Sequence, residues 1–182
     1  DGREVTVPAG TSVMRAARES GGDIPSLCAT DSVKSFGSCR MCLVEVGEKK
    51  PDGSVQMQPR VVPACQTPAK DGTVCITNSE KAKTSQGRTL EGLLLNHPLD
   101  CPVCDKAGEC YLQDYSEHFG NASSRMIEDK HKNPKKDIGT HTLLYQDRCV
   151  LCSRCVRFCE EVAGTRELAV VDRGNRAEID VF

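Results

Sequence analysis

The sequence predicts an α+β fold made of small cysteine-bearing modules. Short alternating segments typical of strands are interspersed with two amphipathic helical segments in the first half of the chain. Apolar residues form 38% and charged residues 27% of the 182 residues, a balance typical of a folded protein. Aromatic residues form only 4%, so few large side chains are present to build a hydrophobic core. The 12 cysteines are expected to compensate for this shortage.

The first predicted module, residues 1–79, combines one helix with several strands. Thr11 or Ser12 can cap a helix that runs to about Ser20, and Gly21 and Gly22 follow its end. The expected strands cover residues 4–7, 43–46, 60–65 and 73–77. Because a strand, a helix and a loop-rich stretch precede further strands, we predict a small α+β domain here.

A second module, residues 80–120, is predicted to begin with a helix over 80–95, capped by Asn78 or Ser79. The apolar positions Leu90, Leu93 and Leu94 are expected to face a core. A polar connection follows over residues 121–141, and its lysines are better explained as a solvated connection than as a docking patch.

The third predicted module, residues 142–182, closes on an alternating segment, 177–182, that is typical of a strand. No partner strand for it is evident in the sequence. At the other end, Asp1-Gly2 is typical of a hairpin turn, which needs a strand before it. We therefore expect the chain to be an internal piece of a longer protein.

Charge and motif content exclude several classes of function. The net charge of −2 gives no electrostatic reason to expect nucleic acid as a partner. No apolar run approaches the roughly 20 residues that cross a bilayer, so membrane contact is expected only through partner proteins. The chain lacks a G-x-G-x-x-G fingerprint and a nucleophile–base constellation. We therefore expect no catalytic site of its own.

Eleven of the twelve cysteines fall into three groups. The groups are Cys28, Cys39, Cys42 and Cys65; Cys101, Cys104 and Cys110, with His97 before them; and Cys149, Cys152, Cys155 and Cys159. The remaining one, Cys75, lies in an alternating segment and is predicted to be a small buried side chain.

The spacing within these groups favours iron–sulfur clusters. Cysteines two residues apart are awkward disulfide partners, and no secretion signal opens the chain. Zinc uses C-x2-C as well, but structural zinc usually pairs two such knuckles, whereas every group here is asymmetric. The run Cys149, Cys152, Cys155 has the bacterial ferredoxin spacing of a [4Fe–4S] cluster. A zinc-stabilised structural protein remains the competing class.

The other two groups suggest one cluster each. In the first group one loop supplies three thiolates and a distant strand end supplies the fourth, as in [2Fe–2S] ferredoxins. The second group offers three thiolates to a [4Fe–4S] cluster that needs four ligands. Since imidazole can replace thiolate on iron, His97 is the candidate fourth ligand.

Three cysteine loops carry a family resemblance. The loop at 96–110, Asn-His-Pro-Leu-Asp-Cys-Pro-Val-Cys-Asp-Lys-Ala-Gly-Glu-Cys, resembles the one-His, three-Cys loop of the G subunit (75 kDa-type) of respiratory NADH–quinone oxidoreductase, complex I. The segments 36–42 and 147–158 resemble the other two cluster loops of that family. The resemblance covers essentially the whole chain and corresponds to the N-terminal iron–sulfur region of that protein.

The resemblance implies a β-grasp [2Fe–2S] domain, then a [4Fe–4S] domain with one His and three Cys ligands, then the start of a bacterial-ferredoxin-like domain. One [2Fe–2S] and two [4Fe–4S] clusters would relay single electrons from a flavin site on a neighbouring subunit toward quinone. The implied partners are an NADH-binding flavoprotein subunit and other peripheral-arm subunits. The implied location is the cytoplasmic face of the bacterial inner membrane, or the matrix side in mitochondria.

The same architecture also occurs in NAD-dependent formate dehydrogenases, iron-only hydrogenases and hydrogenase diaphorases, which are the alternatives.

The third cysteine group leaves open which residue is the fourth ligand of its cluster. In C-x2-C-x2-C-x3-C runs the last cysteine ligates a different cluster, and it is normally followed by Pro, whereas Glu160 follows Cys159. Relatives in the resembled family also take their fourth thiolate from further along the chain. We therefore expect Cys159 not to be the fourth ligand of the third cluster, and that ligand to lie beyond Phe182.

Overall fold

The structure is a computed structural model that describes residues 1–181. The first module consists of α1 (Val13–Glu19), β1 (Leu43–Lys49), β2 (Val55–Met57), β3 (Val62–Pro63) and β4 (Thr73–Ile76). Strand β1 is the centre of the sheet because it pairs antiparallel with each of the other three strands. In this register Gly47 lies opposite Met57 of β2 and Val74 of β4.

Helix α1 begins at the predicted cap. The Ser12 hydroxyl accepts a hydrogen bond from the Arg15 backbone N–H at 3.3 Å, which satisfies a donor that the first turn leaves free. The helix packs its apolar face on the inner residues of β1. The core between them consists of Val13, Met14, Ile24, Cys42, Val44, Val46, Ala64 and Cys65. This core therefore contains two of the predicted cluster ligands.

Two predicted strands of the first module need correction. The strand expected over 4–7 is wrong, since residues 1–8 form no strand. Individual contacts hold this segment instead. The Asp1 ammonium donates to the Cys75 carbonyl at 2.9 Å, the Asp1 carboxylate accepts from Thr77, and Arg3 donates to the Ser20 carbonyl at 2.8 Å. Strand β3 is shorter than the predicted 60–65 because the chain turns after Pro63, whose carbonyl accepts from the N–H of Thr67.

The second module contains α2 (Glu80–Leu94) and α3 (Tyr111–Phe119), and the predicted helix over 80–95 is confirmed. The Ser79 hydroxyl caps α2 by accepting from the Ala82 N–H at 3.1 Å. Both helices pack on the cysteine loops of the first module. This second core consists of Leu27, Cys28, Cys39, Met41, Leu90 and Leu112, with Leu93 and Leu94 packed against it.

A short hairpin joins the segment at 121–141 to the third module, and it consists of β5 (Lys136–Asp137) and β6 (Leu143–Leu144). The module continues with α4 (Arg154–Phe158) and a π-helical turn (Cys159–Ala163). It ends in a second hairpin of β7 (Leu168–Val171) and β8 (Glu178–Val181). The alternating segment predicted at 177–182 is confirmed as β8 over Glu178–Val181, and its last residue lies outside the described part. The expectation that it lacks a partner is wrong, because β7 pairs with it antiparallel.

The segment at 121–141 is more ordered than a solvated connection would be. It contains β5, and Lys136 of that strand forms ion pairs with Glu178 and Asp180 of β8. Lys130 donates to the carbonyl of Leu94 at the end of α2 at 2.7 Å. The segment is therefore attached to both neighbouring modules. No helix within residues 1–181 is long and apolar enough to cross a membrane.

Candidate metal centres

The first centre is formed by four cysteines from three separate segments. Cys28 and Cys39 lie in the loop after α1, Cys42 directly precedes β1, and Cys65 follows β3. All four are buried, with exposed fractions of 0% for Cys28 and Cys42, 4% for Cys39 and 3% for Cys65. The structure therefore brings the four predicted ligands of the first site into one water-excluded region.

Their thiol groups interact with one another. Hydrogen bonds from Cys39 and Cys65 hold the pKa of Cys28 far below its ordinary value, and the same bonds raise the pKa of Cys39 and of Cys65. A hydrogen bond from Cys65 lowers the pKa of Cys42 to about 7. The four sulfurs therefore lie close to one another, and thiolate is the form of cysteine that binds metal.

This donor set fits a two-iron cluster. Within residues 1–181 no group of three or more His, Cys, Asp or Glu side chains is arranged to hold a single metal ion. A [2Fe–2S] cluster is held by four cysteine thiolates, and the first centre supplies four buried cysteines. Soft thiolates with no carboxylate among them suit iron–sulfur chemistry.

The second group lies in the loop between α2 and α3. Cys101 begins a 3₁₀ turn (Cys101–Val103), Cys104 ends it, and Cys110 is the N-cap residue of α3. His97 is partly buried, and burial, with a contribution from Lys130, lowers the pKa of its imidazole. Cys101 is exposed, while the other two cysteines are partly buried. The structure places the group on one loop, and its joint ligation of a cluster stays a prediction.

The third group lies in a tight loop that leads into α4. Burial raises the pKa of both Cys149 and Cys155, and Cys152 adds to the shift at each, so the three thiols are neighbours. The Leu151 N–H donates to the Cys149 sulfur at 3.4 Å. Leu151 and Ser153 have positive φ values of 50° and 56°, an uncommon conformation for side-chain-bearing residues. The loop thus turns a backbone N–H toward a candidate ligand.

The other two cysteines differ in their surroundings. Cys159 lies one turn beyond Cys155, in the π-helical turn, and is close enough to contribute to the raised pKa of Cys155. Whether it ligates a cluster stays a prediction. Cys75 lies on β4, partly buried against the first core, and burial raises its pKa. Its neighbours agree with the role of a packing side chain.

Sequence reasoning missed two arginines that connect the three loops. Arg148 donates to Asp100 at 3.1 Å and lies near Cys104, while the next residue is Cys149. Arg157 of α4 donates to the backbone carbonyls of Cys28 and Cys152. Both arginines lie within the resembled loop at 147–158, but spacing could not indicate their contacts, because Asp100, Lys34 and Cys28 lie in distant segments.

Three family models match the chain in order. They are a 2Fe-2S iron–sulfur cluster binding domain over residues 1–80, the NADH-ubiquinone oxidoreductase-G iron–sulfur binding region over 86–125, and the ferredoxin-like domain of NADH-quinone oxidoreductase subunit 3 over 139–182. The chain therefore contains domains of the 2Fe-2S and 4Fe-4S binding types. The expected order of domains and the α+β fold class are confirmed.

Curated relatives match over the full length of the chain. The mitochondrial NADH-ubiquinone oxidoreductase 78 kDa subunit of Candida albicans is 40% identical over 184 residues, and the G subunit of the NADH-quinone oxidoreductase of Rickettsia bellii is 36% identical over 182 residues. Each match covers 100% of this chain but only 24% and 25% of these relatives. The chain thus spans about a quarter of their length.

A solved structure shares the fold. The crystal structure of an NAD⁺-reducing [NiFe]-hydrogenase in its H₂-reduced state matches with a TM-score of 0.81 and 28% sequence identity. The match covers 96% of this chain and 69% of the hydrogenase chain. The arrangement of modules described above is therefore also found in a chain of a different redox enzyme.

Proposed function

The resemblance to the N-terminal iron–sulfur region of the G subunit of NADH-quinone oxidoreductase is confirmed over the whole chain, and we propose from it that this chain relays single electrons within such a complex. The first centre carries the proposal, since four buried cysteines, three before β1 and one after β3, lie close enough to shift one another's pKa. Electron transfer is the simplest role for a buried set of cysteines within a domain that matches a [2Fe–2S] cluster-binding family.

Three clusters are proposed, and their ligands follow the three cysteine groups. One [2Fe–2S] cluster is assigned to the first group, one [4Fe–4S] cluster to the one-His, three-Cys group and one [4Fe–4S] cluster to the third group. The ligands are Cys28, Cys39, Cys42 and Cys65; His97, Cys101, Cys104 and Cys110; and Cys149, Cys152 and Cys155. The fourth ligand of the third cluster is proposed to come from beyond Phe182 rather than from Cys159.

The residues of this chain perform three tasks in that role. The cysteine thiolates would hold iron, and the bound clusters would supply one-electron chemistry that needs no proton or group transfer by the protein. The apolar residues of the second core, including Leu27 and Met41, keep water from Cys28 and Cys39. The N–H of Leu151 donates to a ligand sulfur, an interaction that tunes cluster potential. No catalytic site is proposed within this chain.

The proposed partners are an NADH-binding flavoprotein subunit, as electron donor, and other peripheral subunits that carry electrons toward quinone. We place the chain on the cytoplasmic face of the bacterial inner membrane, or on the matrix side in mitochondria, with membrane contact through those partners only. Reducing compartments preserve thiolates that an oxidising compartment would convert to disulfides.

The alternative is the electron-relay region of a hydrogenase diaphorase, an iron-only hydrogenase or an NAD-dependent formate dehydrogenase. The fold match to the NAD⁺-reducing hydrogenase fits this alternative. The full-length matches to subunits of NADH-quinone oxidoreductase support the first function better. The two functions share the same clusters and differ in the enzyme that supplies the electrons. Identifying the proteins that purify with the full-length chain separates them.

The test is electron paramagnetic resonance (EPR) of the complex purified under argon with the full-length chain. Addition of NADH should produce the signals of reduced clusters, and a flavoprotein with membrane subunits should be present. Reduction by H₂ or formate, with the corresponding enzyme in the preparation, supports the alternative. A preparation without reducible clusters under NADH, H₂, formate and dithionite contradicts both.

A further inference from the structure

Arg157 is a buried cation between two of the candidate cluster loops. Only 7% of its surface is exposed, and four hydrogen bonds fix its guanidinium group. Nε donates to the Ser153 hydroxyl at 3.2 Å, and Nη1 donates to the Lys34 carbonyl at 2.6 Å. Nη2 donates to the carbonyls of Cys28 at 2.6 Å and of Cys152 at 3.2 Å. One nitrogen thus joins a ligand of the first site to a ligand of the third.

The charge of Arg157 has no carboxylate counterion in the described part of the chain. None of the ion pairs within 4.0 Å among residues 1–181 involves this side chain. Backbone carbonyls satisfy its donors but do not neutralise its charge, and an unpaired buried charge is strongly unfavourable. An anionic group near both loops would supply the missing compensation.

The neighbouring contacts fix the same interface. The Lys34 N–H donates to the Glu161 carboxylate at 2.7 Å, and the Ser38 hydroxyl donates to the Cys152 carbonyl at 3.4 Å. Glu161 is exposed, so water weakens its influence on the buried guanidinium. These contacts hold the loop at 33–39 against α4 and its preceding turn.

The proposed clusters carry the negative charge that would compensate the guanidinium group of Arg157. A cluster held by thiolates is anionic, and reduction makes it more negative by one charge. A fixed cation in a poorly hydrated interface therefore stabilises the reduced form more than the oxidised form. The fork of the guanidinium also fixes the two loops relative to each other, because its donors are rigidly spaced.

We propose that Arg157 is a positioning residue that clamps the first and third cluster loops together and raises the reduction potential of both clusters. This inference rests on the proposed function, because it requires clusters at both sites. It assigns no role to Arg157 in binding iron. It also predicts that the second cluster, whose loop Arg157 does not contact, is unaffected.

Three variants of the full-length protein in its complex separate charge from packing. Arg157→Gln removes the charge but keeps a hydrogen-bonding amide, and Arg157→Lys keeps the charge but loses the fork. Arg173→Gln is the matched control, because Arg173 is an exposed arginine of the same module that lies outside the cluster loops. Iron and sulfide content is measured first for each protein, followed by EPR-monitored redox titration.

Arg157→Gln should lower the reduction equilibrium constant of the first and third clusters about tenfold. For a one-electron couple this corresponds to a reduction potential lower by about 59 mV. Arg157→Lys should recover most of that change, and Arg173→Gln should alter the equilibrium constant less than about twofold. The second cluster should keep its potential in all three variants. If Gln prevents cluster assembly, clusters at nearly wild-type potential in the Lys variant support the proposal.

Several results would overturn the inference. The first is a reduction equilibrium constant in Arg157→Gln that stays within about twofold of wild type. The second is an equal change in the equilibrium constant of the second cluster, and the third is an Arg157→Lys variant that recovers none of the change. Loss of both clusters in the Gln and Lys variants alike would assign Arg157 a packing role only, and would also overturn it. If the wild-type complex itself lacks iron and sulfide, the proposed function fails instead.

Discussion

Leu90 offers a direct test of the second core, because it is fully buried between α2 and the loops that carry Cys28 and Cys39. Replacing it with Ala removes three carbon groups at about 0.8 kcal/mol each, or about 2.4 kcal/mol. The cavity left among neighbours adds to this loss, so the free energy of unfolding should fall by about 3–4 kcal/mol. For a chain of this size that corresponds to a melting temperature lower by roughly 6–15 °C.

Urea denaturation followed by circular dichroism measures this effect, with the slope m expected to stay unchanged. Leu95→Ala is the matched control, since Leu95 follows the same helix and is 42% exposed. The control should lose less than about 1 kcal/mol. A loss below about 1 kcal/mol in Leu90→Ala, or equal losses in both variants, would refute the packing described for α2.

Four further predictions concern a cap, an ion pair and two candidate ligands. Ser79→Ala should lower the free energy of unfolding by about 1 kcal/mol through loss of the α2 cap, whereas Ser79→Thr should retain most of it in the same denaturation assay. Hydrogen bonds from Lys136 hold the pKa of Asp180 below its ordinary value, so this pair stabilises the fold at neutral pH and its contribution is lost as pH falls through the lowered pKa. Melting temperatures in acid should therefore depend less on pH in Lys136→Met than in wild type, and identical profiles would contradict this. His97→Ala should remove or cripple one four-iron EPR signal and leave the [2Fe–2S] signal unchanged, while the control His141→Ala should alter neither. Cys159→Ser in the full-length protein should retain all three clusters, and selective loss of the third would show that Cys159 is its ligand.

The sequence predicts those parts of the fold that depend on local signals. Helix α1 and helix α2 have a serine cap and an apolar face within their own residues, so both were predictable. The strand expected over 4–7 was not correct, because alternation alone does not supply a partner strand. The pairing of β7 with β8 depends on a contact between two short segments that the sequence does not specify.

The same distinction applies to the candidate sites. Cysteine spacing predicted which sulfurs group together, and the structure gathers the four of the first group although Cys65 is distant in sequence. Arg157 could not be predicted, since its partners Lys34 and Cys28 lie 123 and 129 positions away and contribute only backbone carbonyls. Such contacts place no requirement on the identity of the partner side chains, and so they leave no pattern in the sequence.

Metal analysis of matched cysteine variants determines whether three separate cysteine groups hold iron–sulfur clusters. The full-length protein, purified under argon, should contain iron and acid-labile sulfide, with about ten irons attributable to this region. Cys42→Ser should lose about two irons and Cys104→Ser about four, whereas Cys75→Ser should lose none. A colourless protein with stoichiometric zinc, or equal iron loss in Cys75→Ser and Cys42→Ser, would contradict the account.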